Sequence, residues 1–288
     1  MPDLHHILFP YDFSSQDRQT VPFVRALAKR WGARVTLFSV VPPTFEPVPP
    51  DMAPLVRTGD DPEPWRQALQ ARLDPALADE FAGLSVDRVA DGGDPALRIA
   101  HFAHDHAVDL IMMPTHGRGR FRRLLVGSVT SRVLDEARCP VWTAAHVETQ
   151  TAPELPATIL CAVDGSAATV GLVQYAVRFS ATAGATLRLL HVVEPITDWP
   201  SLERERRLQE EVREQAGRAL RSMLTSAGLD LPVRLEVGGI VSTVTGQAGR
   251  EPADLVIIGR GSATKALGRL RSHVIGIIQG APCPVLSV

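Results

Sequence analysis

The residues best suited to chemistry lie in a glycine- and arginine-rich stretch of the first half. Gly117 and Gly127 stand with nine residues between them, and Ser128 follows at the start of a predicted helix. Glycines let the backbone approach a ligand closely, and free N–H groups at a helix N-terminus bind anions. Positive charge surrounds this loop at Arg118, Arg120, Arg122 and Arg123. The pattern indicates a phosphate-binding loop, although Gly-Ser before a helix is also an ordinary N-cap.

Asp12 is a second candidate, because it directly follows the apolar run at residues 7–11. Ligands of open parallel sheets bind beyond the carboxyl ends of the strands, where the strand order reverses. Asp12 and the loop at 117–128 are expected to meet at that edge. The alternative is that Asp12 only caps the helix that follows it.

Patterns for catalysis or metal binding are weak. The chain contains neither a Gly-x4-Gly-Lys-Ser/Thr loop nor a Gly-x-Ser-x-Gly nucleophile motif. His116 is the only candidate general base near the loop. Three histidines between residues 101 and 106 lie on a predicted helix, without a further ligand at metal-binding spacing. We therefore predict no catalytic residue and no metal ligand.

The elements that would position these residues are encoded twice. Three stretches of the first half return in the second half, in the same order and 144 to 152 positions later. They pair residues 7–14 with 159–166, residues 108–113 with 253–258, and residues 137–141 with 281–285. We expect one domain at residues 1–147, a linker at 148–156 and a second copy at 157–288. The first copy carries an insertion at 42–64, whose eight prolines predict a loop.

Each copy alternates short apolar strands with helices, which predicts an α/β fold with a doubly wound parallel sheet. The first copy has strand patterns at 7–11, 35–41, 84–90, 109–114 and 140–145, and helical patterns that include 66–82, 95–107 and 128–137. The second copy has strand patterns at 158–163, 185–193, 232–237, 254–259 and 284–288, with a long helix near 201–227. The two domains are expected to pair within the chain.

Composition limits the class of protein. A length of 288 residues suits two domains, and a net charge of −2 gives no footprint for nucleic-acid binding. No apolar run approaches the length of a membrane span, and the N-terminus does not resemble a secretory signal. Three cysteines cannot form a disulfide framework, which favours a reducing compartment. We predict a cytoplasmic protein without membrane or nucleic-acid partners.

Taken together, these motifs resemble the universal stress protein (UspA) family, in a tandem two-domain form. The family's Gly-x2-Gly-x9-Gly-Ser/Thr loop follows a strand that reads Asp-Leu-Ile. The matching segments here are Asp109-Leu110-Ile111, Gly117-x9-Gly127-Ser128-Val129 and Cys139-Pro140-Val141. The family's first glycine falls on Pro114, which has no N–H and a fixed φ.

The resemblance implies two five-stranded domains of strand order 3-2-1-4-5, as in the adenine-nucleotide α-hydrolase-like fold. It also implies ATP or a related adenine nucleotide, with Mg²⁺ accompanying ATP, in the first domain. Adenine would contact Asp12 and Val40. The ribose would lie against residues 113–117, which include Met113 and His116. The phosphates would be held by Gly117, Gly127, Ser128 and Val129.

The second half departs further from the family motif. Ser262 stands in place of the second glycine, and Arg271 stands in place of the third. A bulky arginine could block a phosphate or offer a guanidinium instead. The weaker candidates in this half are Asp164, Val192, Gly259 and Ser272, with Ser272 expected at the start of a helix.

The family resemblance implies a regulatory stress-response protein, with a possible homodimer. The alternatives are an interaction protein with vestigial sites and, less favoured, a slow ATPase.

Overall fold

The computed structural model describes residues 4–41, 63–115, 126–144, 155–195, 202–260 and 269–288. The chain divides into two compact units, with the division between Leu155 and Pro156. Each unit is an α/β domain built on a parallel sheet. We describe the two domains separately.

The first domain alternates strands and helices along its described length. Its strands are β1 (His6–Pro10), β2 (Arg34–Val41), β3 (Val86–Gly92), β4 (Leu110–Pro114) and β5 (Val141–Ala144). Its helices are α1 (Ser15–Trp31), α2 (Glu63–Leu73), α3 (Pro95–Asp105) and α4 (Ser128–Glu136). The strand order is β3-β2-β1-β4-β5, and all of these neighbours pair in parallel. Both β1 and β4 are buried throughout, and their residues are apolar except for His6 at the start of β1.

The second domain repeats this plan. Its strands are β6 (Thr158–Val163), β7 (Thr186–Val193), β8 (Val233–Val237), β9 (Leu255–Ile258) and β10 (Val285–Ser287). Its helices are α5 (Thr169–Ala183), α6 (Leu202–Ser226), α7 (Ile240–Arg250) and α8 (Arg269–Gly280). The order β8-β7-β6-β9-β10 is the same as that of the first domain. The predicted fold class and the order 3-2-1-4-5 are therefore confirmed in both domains.

The helix predicted at residues 66–82 is the main correction to the element boundaries. α2 begins at Glu63 and ends at Leu73, and turns follow up to Gly83. Pro75 explains the early end, because proline has no N–H to continue the helical hydrogen bonds and restricts the residue before it. The start of α2 also corrects the insertion at 42–64, since residues 63 and 64 are helical. Residues 42–62 lie outside the described part of the chain.

The packing of α1 shows how the sequence selects its buried face. Apolar side chains recur at helical spacing, and those of Val21, Val24, Leu27 and Ala28 are buried. The helix ends at Gly32, whose φ of 67° is the left-handed conformation that glycine adopts without strain. Within the described residues, no helix combines the length and the apolar character needed to cross a bilayer.

Candidate functional site

Three candidate residues of the first domain lie at the same edge of its sheet. β1 stands between β2 and β4, with Pro10 opposite Phe38 and Leu8 opposite Ile111. Since these strands are parallel and closely registered, their carboxyl ends meet at one edge, where the strand order reverses. Asp12 follows β1 and is exposed, Val40 is half-buried near the end of β2, and Met113 is buried near the end of β4. The structure thus brings Asp12, Val40 and Met113 to a common edge.

Hydrogen bonds fix the two ends of the loop between β4 and α4. The Gly127 N–H donates to the Thr115 carbonyl oxygen at 2.7 Å. The Thr130 hydroxyl donates to the Pro114 carbonyl oxygen at 3.2 Å, and both side chain and backbone N–H of Thr115 bond to the Ala144 carbonyl. These bonds hold the start of α4 beside the end of β4. Thr130 was not among the predicted residues, and no sequence pattern identifies its role.

The first turn of α4 presents backbone donors without a side-chain cap. Gly127 is the N-cap residue, and it has no side chain to accept a hydrogen bond. The first helical bond runs from the Ser131 N–H to the Gly127 carbonyl at 2.9 Å. The N–H groups of the first turn therefore have no acceptor within the helix. Ser128 is exposed and Val129 is half-buried. This arrangement suits an anion.

Part of the predicted loop lies outside the described residues. His116, Gly117 and the arginines of the loop fall in the range 116–125. Their assignment to ribose or phosphate stays a prediction. Pro114 itself is the last residue of β4 and pairs with Ala144. The proline in place of the family's first glycine thus forms part of the strand end.

Asp12 does not form the N-cap of α1, because Ser14 does. The Asp17 N–H donates to the Ser14 hydroxyl at 3.2 Å, and Asp17 Oδ2 accepts from the Ser14 N–H at 3.3 Å. This reciprocal pair is a capping box. Asp12 accepts from the Ser14 N–H at 2.9 Å through Oδ1. The alternative reading of Asp12 as the cap is wrong.

Asp17 is a functional candidate that the sequence reasoning missed. Its side chain is buried, and Oδ2 also accepts the Asp12 N–H at 2.7 Å. Burial raises the pKa of Asp17 well above its ordinary range, and the Asp12 carboxylate raises it further through charge and a hydrogen bond. The backbone donors of Asp12 and Ser14 act in the opposite direction. The Ser14-x-x-Asp17 spacing was the signal that could have revealed this residue.

The corresponding edge of the second domain carries Asp164 and Val192. Asp164 is exposed, and its Oδ1 accepts from the Ser166 N–H at 2.9 Å and from the Thr169 hydroxyl at 3.0 Å. Desolvation raises the pKa of Asp164, but the hydrogen bonds from Ser166 and Thr169 outweigh it and leave a lowered pKa. Val192 is half-buried near the end of β7.

The loop after β9 differs from its counterpart in the first domain. Gly259 is exposed just beyond β9, and the next residue, Arg260, donates its N–H to the Val288 carbonyl at 2.9 Å. The prediction that Ser272 starts the helix is wrong, because α8 begins at Arg269. Arg271 stands where the first domain has Gly127, and arginine continues a helix far more readily than glycine. Ser272 is therefore the fourth helical residue, whereas Ser128 is the first.

The cysteines and the possible metal ligands are also candidate reactive groups. All three cysteines are free. Burial raises the pKa of both Cys161 and Cys283 to about 12, so these thiols are protonated at neutral pH and poor nucleophiles. Within the described ranges, no three His, Cys, Asp or Glu side chains gather as a metal site.

The universal stress protein family model matches this chain twice, over residues 4–144 and 157–288. The chain belongs to the universal stress protein family. The two matches agree with the two domains and with the repeat in the sequence.

Individual relatives support this membership. A universal stress protein of Thermus aquaticus is 33% identical over 142 residues, which cover 47% of this chain and 94% of the relative. A universal stress protein of Synechocystis is 30% identical over 135 residues, or 47% of this chain and 82% of the relative. Each match has about the length of one domain.

Solved structures of the same fold extend over the whole chain. A universal stress protein of Archaeoglobus fulgidus has a TM-score of 0.68 at 19% identity, and covers 99% of this chain and 96% of its own. A functionally unknown protein of Pseudomonas aeruginosa has a TM-score of 0.69 at 16% identity, with coverage of 100% and 93%. These likenesses support the fold.

Proposed function

We propose that the first domain binds ATP or a related adenine nucleotide, with Mg²⁺ accompanying ATP, and that binding is regulatory rather than catalytic. Asp12 and Val40 would contact the adenine, as the family resemblance implies. The ribose would lie near Met113 and His116. The phosphates would be held by Gly117, Gly127, Ser128 and Val129.

The start of α4 is the observation that carries this proposal. A glycine N-cap without a side-chain acceptor is tied to the Thr115 carbonyl at 2.7 Å. The donors of the first helical turn therefore lie beside the end of β4, at the edge that also carries Asp12. An anionic phosphate would satisfy these donors and interact favourably with the positive end of the helix dipole.

The second domain is proposed to bind nucleotide weakly or not at all. Because α8 begins three residues before Ser272, the N–H of Ser272 lies within the reach of a helical acceptor. Arg271 also occupies the position at which Gly127 lets a ligand approach the backbone. The first domain would then bind the nucleotide, and the second domain would contribute by pairing with the first.

A regulatory role requires the nucleotide to distinguish between conformations. A bound nucleotide shifts a conformational equilibrium only by its difference in affinity for the two states. His116 is the one candidate general base in the loop sequence. If the slow ATPase alternative holds, His116→Ala will lower phosphate release. If the regulatory proposal holds, His116→Ala will leave phosphate release at the background of the wild type.

Calorimetric titration with ATP and with its Mg²⁺ complex tests the proposal. Gly127→Trp would place an indole in the phosphate region, and we expect it to abolish the binding that wild type shows. Gly171→Trp is the matched control, because Gly171 is exposed in the second domain and a Cβ there meets nothing within 4 Å. Wild type that binds no nucleotide below millimolar concentrations would favour the interaction protein with vestigial sites. Pro114 and Arg271 are the departures that favour that alternative.

The proposal also includes a cytoplasmic location, pairing of the two domains and a homodimer. Three free cysteines suit the reducing cytoplasm. Pairing of the two domains and formation of a homodimer stay predictions. Light scattering of the purified protein, with and without ATP, will give the number of chains in the assembly.

A further inference from the structure

Two carboxyl groups face one another at the start of α1. Asp17 is 2% exposed, and the Ser14 N–H bonds to both carboxyl groups, to Asp12 Oδ1 at 2.9 Å and to Asp17 Oδ2 at 3.3 Å. Asp17 Oδ2 also accepts the Asp12 N–H at 2.7 Å. Two carboxyl groups at this range can form a hydrogen bond with each other only if one of them holds a proton. Because Asp17 is buried and Asp12 is exposed, Asp17 is the one that would hold this proton.

The charges around Asp17 do not compensate for a second negative charge. Arg18 is exposed and lines the same pocket as Tyr11, whose pKa is raised by burial and by the charge of Asp17. β4 carries no ionisable side chain, and those of β1 and β2, His6 and Arg34, bond to each other at the opposite end of the sheet. No ion pair joins Asp17 to a cation among the described residues. Two adjacent carboxylates in this setting would repel each other at close range.

In the second domain, the equivalent aspartate accepts a hydrogen bond from a hydroxyl group instead of a carboxyl group. Thr169 occupies the position of Asp17, five residues after the aspartate in both domains. Thr169 is 1% exposed, and its hydroxyl donates to Asp164 Oδ1 at 3.0 Å. A hydroxyl donates at any physiological pH, whereas a carboxyl donates only while it is protonated. The two domains thus place a permanent donor and a titratable donor against equivalent aspartates.

We propose that Asp17 holds a proton in the folded protein and donates a hydrogen bond through it to the Asp12 carboxylate, and that loss of this proton as the pH rises weakens nucleotide binding in the first domain. Asp17 is a positioning residue, because it acts through Asp12. While the proton is present, it orients Asp12 and leaves one negative charge to accept the exocyclic amino group of adenine. When it is lost, repulsion displaces the Asp12 carboxylate. The second clause rests on the proposed function, and the first does not.

The direction of the pH dependence follows from linkage. The pKa of Asp17 is raised in the folded state, so its contribution to stability is fully present below the unfolded pKa. That contribution is lost as the pH rises through the folded pKa. Asp17→Asn and Asp17→Thr carry donors that do not titrate in this range. The unfolding free energy of either variant, relative to wild type, should therefore increase as the pH rises.

The proton is tested first in the absence of nucleotide. Aspartate labelled with ¹³C at the side-chain carboxyl gives a resonance for each aspartate, and the one absent from Asp17→Asn belongs to Asp17. We expect this resonance to titrate well above the ordinary range of a carboxyl. Titration within the ordinary range would overturn the proposal, whatever the protein binds. Asp17→Thr provides a second assignment should Asp17→Asn fail to fold.

The coupling to the site is tested by ATP affinity across the same pH range. The ratio of wild-type affinity to Asp17→Thr affinity cancels the titration of the ATP phosphates, which both proteins share. We expect this ratio to fall by about tenfold as Asp17 ionises, as for the loss of one hydrogen bond to a charged group. A constant ratio would overturn the coupling. A high titration of Asp17 with no ATP binding by any form would contradict the proposed function and the coupling, while supporting the proton on Asp17.

Discussion

The two domains hold equivalent aspartates in different ways. In the first, a buried carboxyl from Asp17 lies against Asp12, and a capping box starts α1 at Ser15. In the second, the Thr169 hydroxyl donates to Asp164, and α5 begins at Thr169 itself. The two domains thus differ both in the charge beside the aspartate and in the position at which the next helix begins. Similar backbones therefore support sites of different electrostatics.

The loops after the fourth strands differ in a second respect. Gly127 ends the irregular segment and leaves the first turn of α4 without a side-chain cap. α8 instead extends back to Arg269, past the position that corresponds to Gly127. Glycine is unfavourable within a helix by about 1 kcal/mol relative to alanine, and arginine is not. The change from glycine to arginine favours a longer helix, which would pair the backbone donors that the proposed phosphate site needs.

The largest expected effect is a difference between Asp12 and Asp164 in their contribution to nucleotide binding. Asp12→Ala should lower the affinity for ATP by about 10- to 100-fold, the loss expected for a hydrogen bond to a charged group. Asp164→Ala is the matched control in the second domain and should leave the affinity and stoichiometry unchanged. Calorimetry of both variants measures the difference. Equal losses in the two variants would show that the domains do not differ in function.

The next largest effect concerns packing at the end of the third strand. A Cβ on Gly92 would overlap the ring of Trp65, which packs against the buried cluster of Val41, Leu69 and Ala90. Gly92→Ala should destabilise the first domain by about 1–3 kcal/mol, the usual range for overpacking. In the second domain, a Cβ on Gly238 meets the Thr243 hydroxyl at 2.5 Å.

Gly238→Ala should cost less than Gly92→Ala, because a hydroxyl can rotate away and an indole ring held in a core cannot. Hydrogen-exchange mass spectrometry resolves the two domains and measures each loss in the domain concerned. A larger loss of protection in Gly238→Ala than in Gly92→Ala would contradict this account of the packing.

The smallest expected effect concerns the hydrogen bond that joins the start of α4 to the end of β4. Thr130→Val removes the bond to the Pro114 carbonyl and should cost the first domain about 1 kcal/mol, the typical net value of one hydrogen bond. Val274 occupies the corresponding position of α8. Thr130→Val should also weaken ATP binding, since α4 would be held less firmly beside β4. Val274→Thr serves as control and should leave ATP binding unchanged; unaltered ATP affinity in Thr130→Val would refute the role of this bond.

The fold followed from the sequence because its signals were redundant. Apolar runs, helical spacing and a repeat at nearly constant offset all favoured a parallel sheet, and both sheets have the predicted order. Single residues set the boundaries that were wrong. Pro75 ended α2 early, and the arginine at position 271 let α8 begin before Ser272. Helical spacing is judged over a window of several residues, so it does not show how one residue ends or extends a helix.

The sequence could predict those candidate site residues whose location follows from their own position along a strand or in a family motif. Asp12 follows from the end of a predicted strand, Val40 and Met113 come from the family resemblance, and the structure places all three at one edge. Asp17 and Thr130 act through hydrogen bonds to other residues, and those partners are known only once the chain is folded. The charge state of Asp17 depends on burial and on Asp12 together. Sequence spacing could suggest the capping box but not the pairing of the two carboxyl groups.

The central claim is that one domain binds nucleotide and the other does not. Native mass spectrometry of the protein with excess ATP counts the nucleotides bound to each chain directly. We predict one nucleotide for each wild-type chain, none for Gly127→Trp, and one for Arg271→Trp. Two nucleotides for each chain, or one that persists in Gly127→Trp, would contradict the account.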